Sequence, residues 1–194
     1  MPMTALDLID HGPVIPVIVL QRVADAVPLA RALLAGGVKV LEITLRTPVA
    51  LDCMRAIAQA LPEAIVGAGT IRSAQDVRAA FGAGCRFGVS PGYSRDIGLA
   101  CRQIGLPLLP GVATASEVMA ANADGYHFLK FFPATAAGGI PMLKALAGPF
   151  ADVAFCPTGG ITPATAPQYL ALPNVKVCGG SWLTPQDAVD AQDW

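Results

Sequence analysis

Val38-Lys39-Val40-Leu41-Glu42-Ile43-Thr44-Leu45-Arg46 decides the fold of this chain. Its β-branched and aliphatic residues read as a strand. After Pro48 comes Val49–Leu61, alanine-rich and spaced like a helix, and then Ala64–Gly69, a second strand-like run. Strand, helix and strand in succession argue for a parallel sheet. Alternate residues of a strand face opposite sides. Leu41, Ile43 and Leu45 therefore offer an apolar face to covering helices, while Glu42, Thr44 and Arg46 point the other way. A carboxylate and a guanidinium on an inward register are costly unless paired or functional. Two readings stay open at this point: a structural Glu42–Arg46 pair closing a barrel, or part of a site.

The same unit recurs along the sequence. Strands are expected at Val14–Leu20, Val38–Leu45, Ala64–Gly69, Cys85–Ser90, Pro107–Val112, Tyr126–Phe132, Val153–Cys156 and Val175–Cys178. Helical spacing marks Val23–Ala35, Val49–Leu61, Ala74–Phe81 and Arg95–Ile104. Ser73 and Ser94 suit N-caps, and Pro48, Pro163 and Pro185 suit first helical turns. Gly36, Gly37, Gly82, Gly84 and Gly105 fall where helices should stop in positive-φ caps. Eight such units suggest an α/β chain closed into a (β/α)8 TIM barrel, with its active site at the carboxyl ends of the strands. A single domain over residues 1–194 is expected, without a linker. An open doubly wound sheet is the alternative, although no G-x-G-x-x-G opens the first helix. Only Thr184–Trp194 follows the last strand, so the eighth helix is expected to be short or missing.

Bulk composition narrows the function. The chain is 54% hydrophobic but only 6% aromatic, so its core must be aliphatic and alanine-rich. A net charge of −1 offers no basic field for nucleic acid. Five cysteines lie far apart without a CxxC pair, which fits reduced thiols in the cytoplasm better than a zinc site or a disulfide framework. The longest uncharged stretch, Val153 to Val175, holds four prolines and cannot be a membrane helix.

Lys130 is the candidate for chemistry. It sits in Tyr126-His127-Phe128-Leu129-Lys130-Phe131-Phe132-Pro133, with Phe128 and Phe132 on its own face and Leu129 and Phe131 on the other. A neutral amine in an apolar pocket is a nucleophile that forms Schiff bases with carbonyl compounds. The alternative is an edge lysine whose stem snorkels past the rings to water. In a closed barrel Glu42 and Lys130 enter the interior from the second and sixth strands.

Three glycine-rich turns follow expected strands: Gly67-Ala68-Gly69-Thr70, Pro157-Thr158-Gly159-Gly160 and Gly179-Gly180-Ser181. Successive backbone N–H groups in such turns make anion nests. Barrels often bind phosphate in the loops after strands seven and eight, where the last two fall. Pro163 would open a helix whose N-terminus adds to that site. His11 and His127 lack partners at ligand spacing, Asp52, Asp76 and Asp96 read as solvated, and Met119 and Met142 read as core filler.

These residues, in this order, resemble the bacterial 2-keto-3-deoxy-6-phosphogluconate (KDPG) / 4-hydroxy-2-oxoglutarate (KHG) aldolase family. The resemblance rests on Pro13–Ile18, Leu41–Thr47, Val66–Thr70, Ser90-Pro91-Gly92, Lys130–Ala134, Cys156–Gly160 and Gly179–Trp182, nearly the whole chain. It implies a class I aldolase on a (β/α)8 barrel, usually trimeric, needing no metal and no cofactor. Lys130 is implied as the Schiff-base lysine and Glu42 as the general acid/base. Arg46 and Thr70 are implied to hold the carboxylate of the pyruvate moiety. Thr158 is implied to contact the substrate chain, with Gly159, Gly160, Gly180 and Ser181 around a phosphate. The expected partners are the phosphorylated 2-keto-3-deoxy sugar acid and pyruvate, and further copies of the chain in a homotrimer. The departure from the family is the short C-terminus. Competing readings are the galactonate-specific aldolase, a sugar-phosphate isomerase or epimerase on the same barrel, and a repurposed or truncated barrel serving as an assembly subunit.

Overall fold

The computed structural model describes residues 4–194. Parallel strands and helices alternate through the chain: β1 (Val14–Ile18), α1 (Ala26–Ala35), β2 (Val40–Thr44), α2 (Ala50–Ala60), β3 (Ile65–Gly69), α3 (Ala74–Gly82), β4 (Phe87–Val89) and α4 (Arg95–Ile104). There follow β5 (Leu108–Leu109), β6 (Gly111–Val112), α5 (Ala115–Ala123), β7 (Phe128–Phe131), α6 (Gly139–Ala147), β8 (Ala154–Pro157), α7 (Ala166–Leu170), β9 (Cys178–Gly180) and α8 (Gln186–Ala191).

One sheet runs β5-β4-β3-β2-β1-β9 and another β6-β7-β8, all parallel. Two seams join them into a barrel. At the first, the fifth stave expected at Pro107–Val112 is split at Pro110, which has no N–H to give. Its halves serve different neighbours, β5 pairing with β4 and β6 with β7. At the second seam β8 meets the last stave through the bridges Phe155–Val175 and Thr158–Gly179. The last strand is therefore later than expected: Val175 makes only a bridge, and β9 carries Gly179 and Gly180 alongside Ile15 and Pro16.

The inward and outward registers separate as the alternation requires. Ile15, Val40, Ile65, Phe87, Val89, Leu109, Phe128 and Cys156 fill the barrel interior, and Leu8 of an N-terminal 3-10 turn joins them. Leu41, Ile43, Val66 and Ala68 pack outward against α1 to α4, and Leu129, Phe131 and Phe155 against α5 to α7. Gly67 has no side chain because the Phe87 ring occupies that space. Ser73 and Ser94 cap α3 and α4 by accepting the Asp76 and Ile97 amides, as expected. A Thr114/Glu117 capping box starts α5.

Several expectations need correcting. Gly37, Gly84 and Gly105 adopt positive φ, but Gly36 has φ −78° and Gly82 ends α3 without a left-handed turn. Pro163 does not open a helix. The Thr162 and Thr165 hydroxyls bond each other's backbone amides in a separate turn, and the five-residue α7 begins only at Ala166. That helix is too short to supply the anion site expected of it. Met119 is 62% exposed rather than core. The eighth helix is short but present. Its Val189 is buried with the α1 residues, and Gln192 Nε2 donates to the buried Asp25, 3.1 Å away.

Candidate active site

Lys130 lies on β7, and its backbone N–H donates to the Pro110 carbonyl at 2.8 Å. Gly111 and Cys156 are its register partners on either side. Glu42 comes from β2, 88 positions earlier in sequence. Closure brings the two together: Lys130 Nζ donates to Glu42 Oε1 at 3.2 Å, with the residues 4% and 3% exposed. This amine does not snorkel to water. The Phe132 ring centroid is 5.4 Å from Nζ, within cation–π range of an ammonium.

The space around the pair is set by glycine. A Cβ at Gly69 would collide with the Glu42 carboxylate, and one at Gly179 with the Thr158 hydroxyl. These glycines stand in strands β3 and β9, extended, and serve as clearance for polar side chains rather than as turns. Gly180 likewise makes room for the Trp182 ring. The true turn is Gly159-Gly160, with φ of 102° and 75°, where glycine is needed for conformation.

Glu42 and Arg46 do not form the ion pair considered for strand two. Arg46 is exposed just past β2 and donates from Nε to Thr70 Oγ1 at 3.2 Å. Thr70 follows β3 with φ 63°, a left-handed backbone that costs a β-branched residue about 1–2 kcal/mol. Strain of this kind collects at working sites. Thr158, at the end of β8, is buried and bridges to Gly179, and its hydroxyl donates to the Cys156 carbonyl at 3.4 Å. Ser181 is exposed directly after β9. Every one of the nine candidate residues is thus at or beside the carboxyl end of a strand or on its inward register.

Three further residues belong to this neighbourhood. Cys156 is buried beside Lys130, and burial pushes its thiol up to about 12, so it stays protonated and neutral. Ser90, fully buried, accepts the Gly111 amide at 3.4 Å and ties the end of β4 to β6. Thr44 Oγ1 donates to the Ile18 carbonyl at 3.0 Å, holding β2 against β1 two residues beyond Glu42. The inward register of β2 and β8 contains Thr44 and Cys156, but only closure shows what they touch. Among the described residues no three His, Cys, Asp or Glu side chains converge as a metal-ligand set. No helix among them is long and apolar enough to cross a membrane.

The chain is 52% identical over 188 residues to the 2-dehydro-3-deoxy-phosphogluconate aldolase of Pseudoalteromonas atlantica, covering 97% of this chain and 87% of the relative. It is 50% identical over 191 residues to the KHG/KDPG aldolase of Escherichia coli K12, covering 98% and 90%. The crystal structure of KDPG aldolase from Legionella pneumophila, with pyruvate captured as a covalent carbinolamine intermediate, superposes with a TM-score of 0.94 at 48% identity, covering 96% and 91%. Residues 6–194 also match the family model for KDPG and KHG aldolase. A barrel that buries one amine against one carboxylate at its mouth is what these relatives share a sequence with, and this chain belongs to the KDPG and KHG aldolase family.

Proposed function

We propose that the chain is a class I aldolase that cleaves 2-dehydro-3-deoxy-6-phosphogluconate to pyruvate and glyceraldehyde 3-phosphate, and that it also splits 4-hydroxy-2-oxoglutarate to pyruvate and glyoxylate. The observation that carries this reading is the buried Lys130–Glu42 contact at 3.2 Å. Glu42 is positioned to take a proton from the amine, freeing its lone pair to attack the C2 carbonyl. Water leaves the carbinolamine to give an iminium. Removal of the C4 hydroxyl proton then breaks the C3–C4 bond, and its electron pair moves into the iminium to give an enamine. The aldehyde departs, C3 is protonated, and hydrolysis returns pyruvate and Lys130. Glu42 serves as the proton shuttle, through a water where the distance requires it.

Arg46, with five donors in a fixed fork, grips the C1 carboxylate, and Thr70 supports it. Thr158 contacts the chain of the substrate. Gly159, Gly160, Gly180 and Ser181 surround the phosphate, the first two offering amides from a left-handed turn. Thr158 and Ser181 favour the gluconate over the galactonate isomer. We take the protein to be cytoplasmic, since its five cysteines are all free and buried, and homotrimeric. Phe81, Leu99 and Met119, exposed on α3, α4 and α5, offer apolar surface for such an assembly.

Borohydride reduction in the presence of pyruvate tests the reading. The expected product is a covalent adduct on the peptide carrying Lys130, seen by mass spectrometry and lost in Lys130→Ala. An adduct on Lys144 or Lys39, or none, overturns it. Inactivation by borohydride together with undiminished activity in EDTA would separate this chemistry from a metal-dependent isomerase.

A further inference from the structure

At the opposite end of the barrel from Lys130, a cavity of about 600 Å³ opens between the end of α4, the loop before β7 and the N-terminal segment. Its size falls in the range of small-molecule sites, about 300–1,000 Å³. Leu106, Leu108, Phe128 and Ala154, at the amino ends of the strands, give it an apolar wall. Polar groups gather at its rim with an imbalance of charge. Asp152 is already engaged: its carboxylate accepts from the Asn122 amide and contacts His127 Nδ1, both at 3.1 Å. Arg102 and Lys176 line the same cavity, and neither forms an ion pair among the described residues. Arg102 donates to the Asp124 carbonyl and the Tyr126 hydroxyl, and Lys176 to the Pro173 carbonyl, all neutral acceptors. Lys176 and Arg102 form no salt bridge among the described residues, and the Asp124 carboxylate within electrostatic reach of Arg102 is already bonded to Arg95. Beside a greasy hollow the two cations complement a molecule with an anionic head and an apolar body.

We propose that this cavity is a second binding site, separate from the catalytic mouth, for a small amphiphilic anion of the medium-chain carboxylate type. The hydrocarbon body lies against Leu106, Leu108 and Phe128, and the carboxylate is held by Arg102 and Lys176. The site depends on none of the residues assigned to the aldol chemistry.

Calorimetric titration of the intact protein with octanoate tests this, with octanol and octylamine as neutral and cationic controls. Saturable binding of octanoate at one site is expected, with both controls much weaker. Arg102→Gln combined with Lys176→Gln should weaken octanoate by about ten-fold or more, the loss expected for charge-assisted hydrogen bonds. Ala154→Leu, which fills part of the hollow, should weaken it as well, and Arg46→Ala should leave it unchanged. Should the double variant fail to fold, Lys176→Gln alone decides, because among the described residues its amine donates only to the exposed Pro173 carbonyl. The proposal is overturned if octanoate gives no saturable heat at millimolar concentration, if octanol binds equally well, or if the charge variants bind like the parent. Loss of binding in Arg46→Ala would place the ligand at the catalytic mouth and overturn it too.

Discussion

Two polar pairs stand at the mouth of this barrel, and they differ in almost every physical respect. Lys130 and Glu42 are buried, joined across the interior and hemmed in by Phe132, Cys156 and the bare backbone of Gly69. Arg46 and Thr70 are partly open to water, adjacent just past the ends of neighbouring strands, and held at the cost of a left-handed threonine. A buried pair is committed to the fold, because removing one member strands the other's charge away from water, and the proposed mechanism commits this pair to the chemistry as well. An exposed pair leaves solvent ready to replace whichever partner is lost. On the proposed mechanism, altering the first should disturb both stability and turnover, whereas altering the second should change binding alone.

Substitutions ordered by expected effect put that contrast at risk. Lys130→Ala should abolish turnover and also lower unfolding free energy by about 3–5 kcal/mol, since Glu42 is left buried and unpaired; denaturant titration with unchanged stability would break the argument. Glu42→Gln keeps the shape and the hydrogen bond but not the base, and kcat should fall by about 10²–10⁴-fold. Arg46→Ala should cost about 1.5–3 kcal/mol in kcat/KM through weaker carboxylate binding, while its melting temperature stays close to the parent's. Thr70→Gly should weaken binding with a stability change within about 1 kcal/mol, because relief of backbone strain offsets the added freedom of glycine in the unfolded chain.

A smaller effect comes from outside the barrel, where Arg95 and then the Tyr93 hydroxyl hold the Asp124 carboxyl down from 3.8 to about 2. A depressed folded value means that the stabilisation is complete above about pH 4 and is lost as pH falls toward 2. Thermal melts of Asp124→Asn should therefore approach those of the parent as the pH drops through that window, with turnover near neutrality unaffected.

The sequence carried the architecture because each level of it agreed. Alternation on β2 and β7 predicted which residues face the helices, and the clusters containing Leu41, Ile43, Leu129 and Phe131 have that composition. Lys130 and Glu42 were legible for the same reason, as polar residues on inward registers. Glycine was harder to read. The motif at 67–69 and the pair at 179–180 look like turns, yet they are strand residues whose missing side chains leave room for Phe87, Glu42, Thr158 and Trp182. That need arises only after distant strands have closed, so no local pattern records it. The Arg46–Thr70 contact and the turn at Thr162 escaped for a related cause: each depends on which of several available partners lies nearest in space.

The seams of the barrel carry one more consequence. The acid and the amine belong to different sheets, Glu42 to the six-stranded one and Lys130 to the three-stranded one. Their spacing is therefore a property of the joints at Pro110 and Thr158, not of either half by itself. A chain that had zipped up only part of its circumference would contain both groups and hold them out of reach of each other. On the chemistry proposed for this pair, ring closure is what brings acid and amine within working distance.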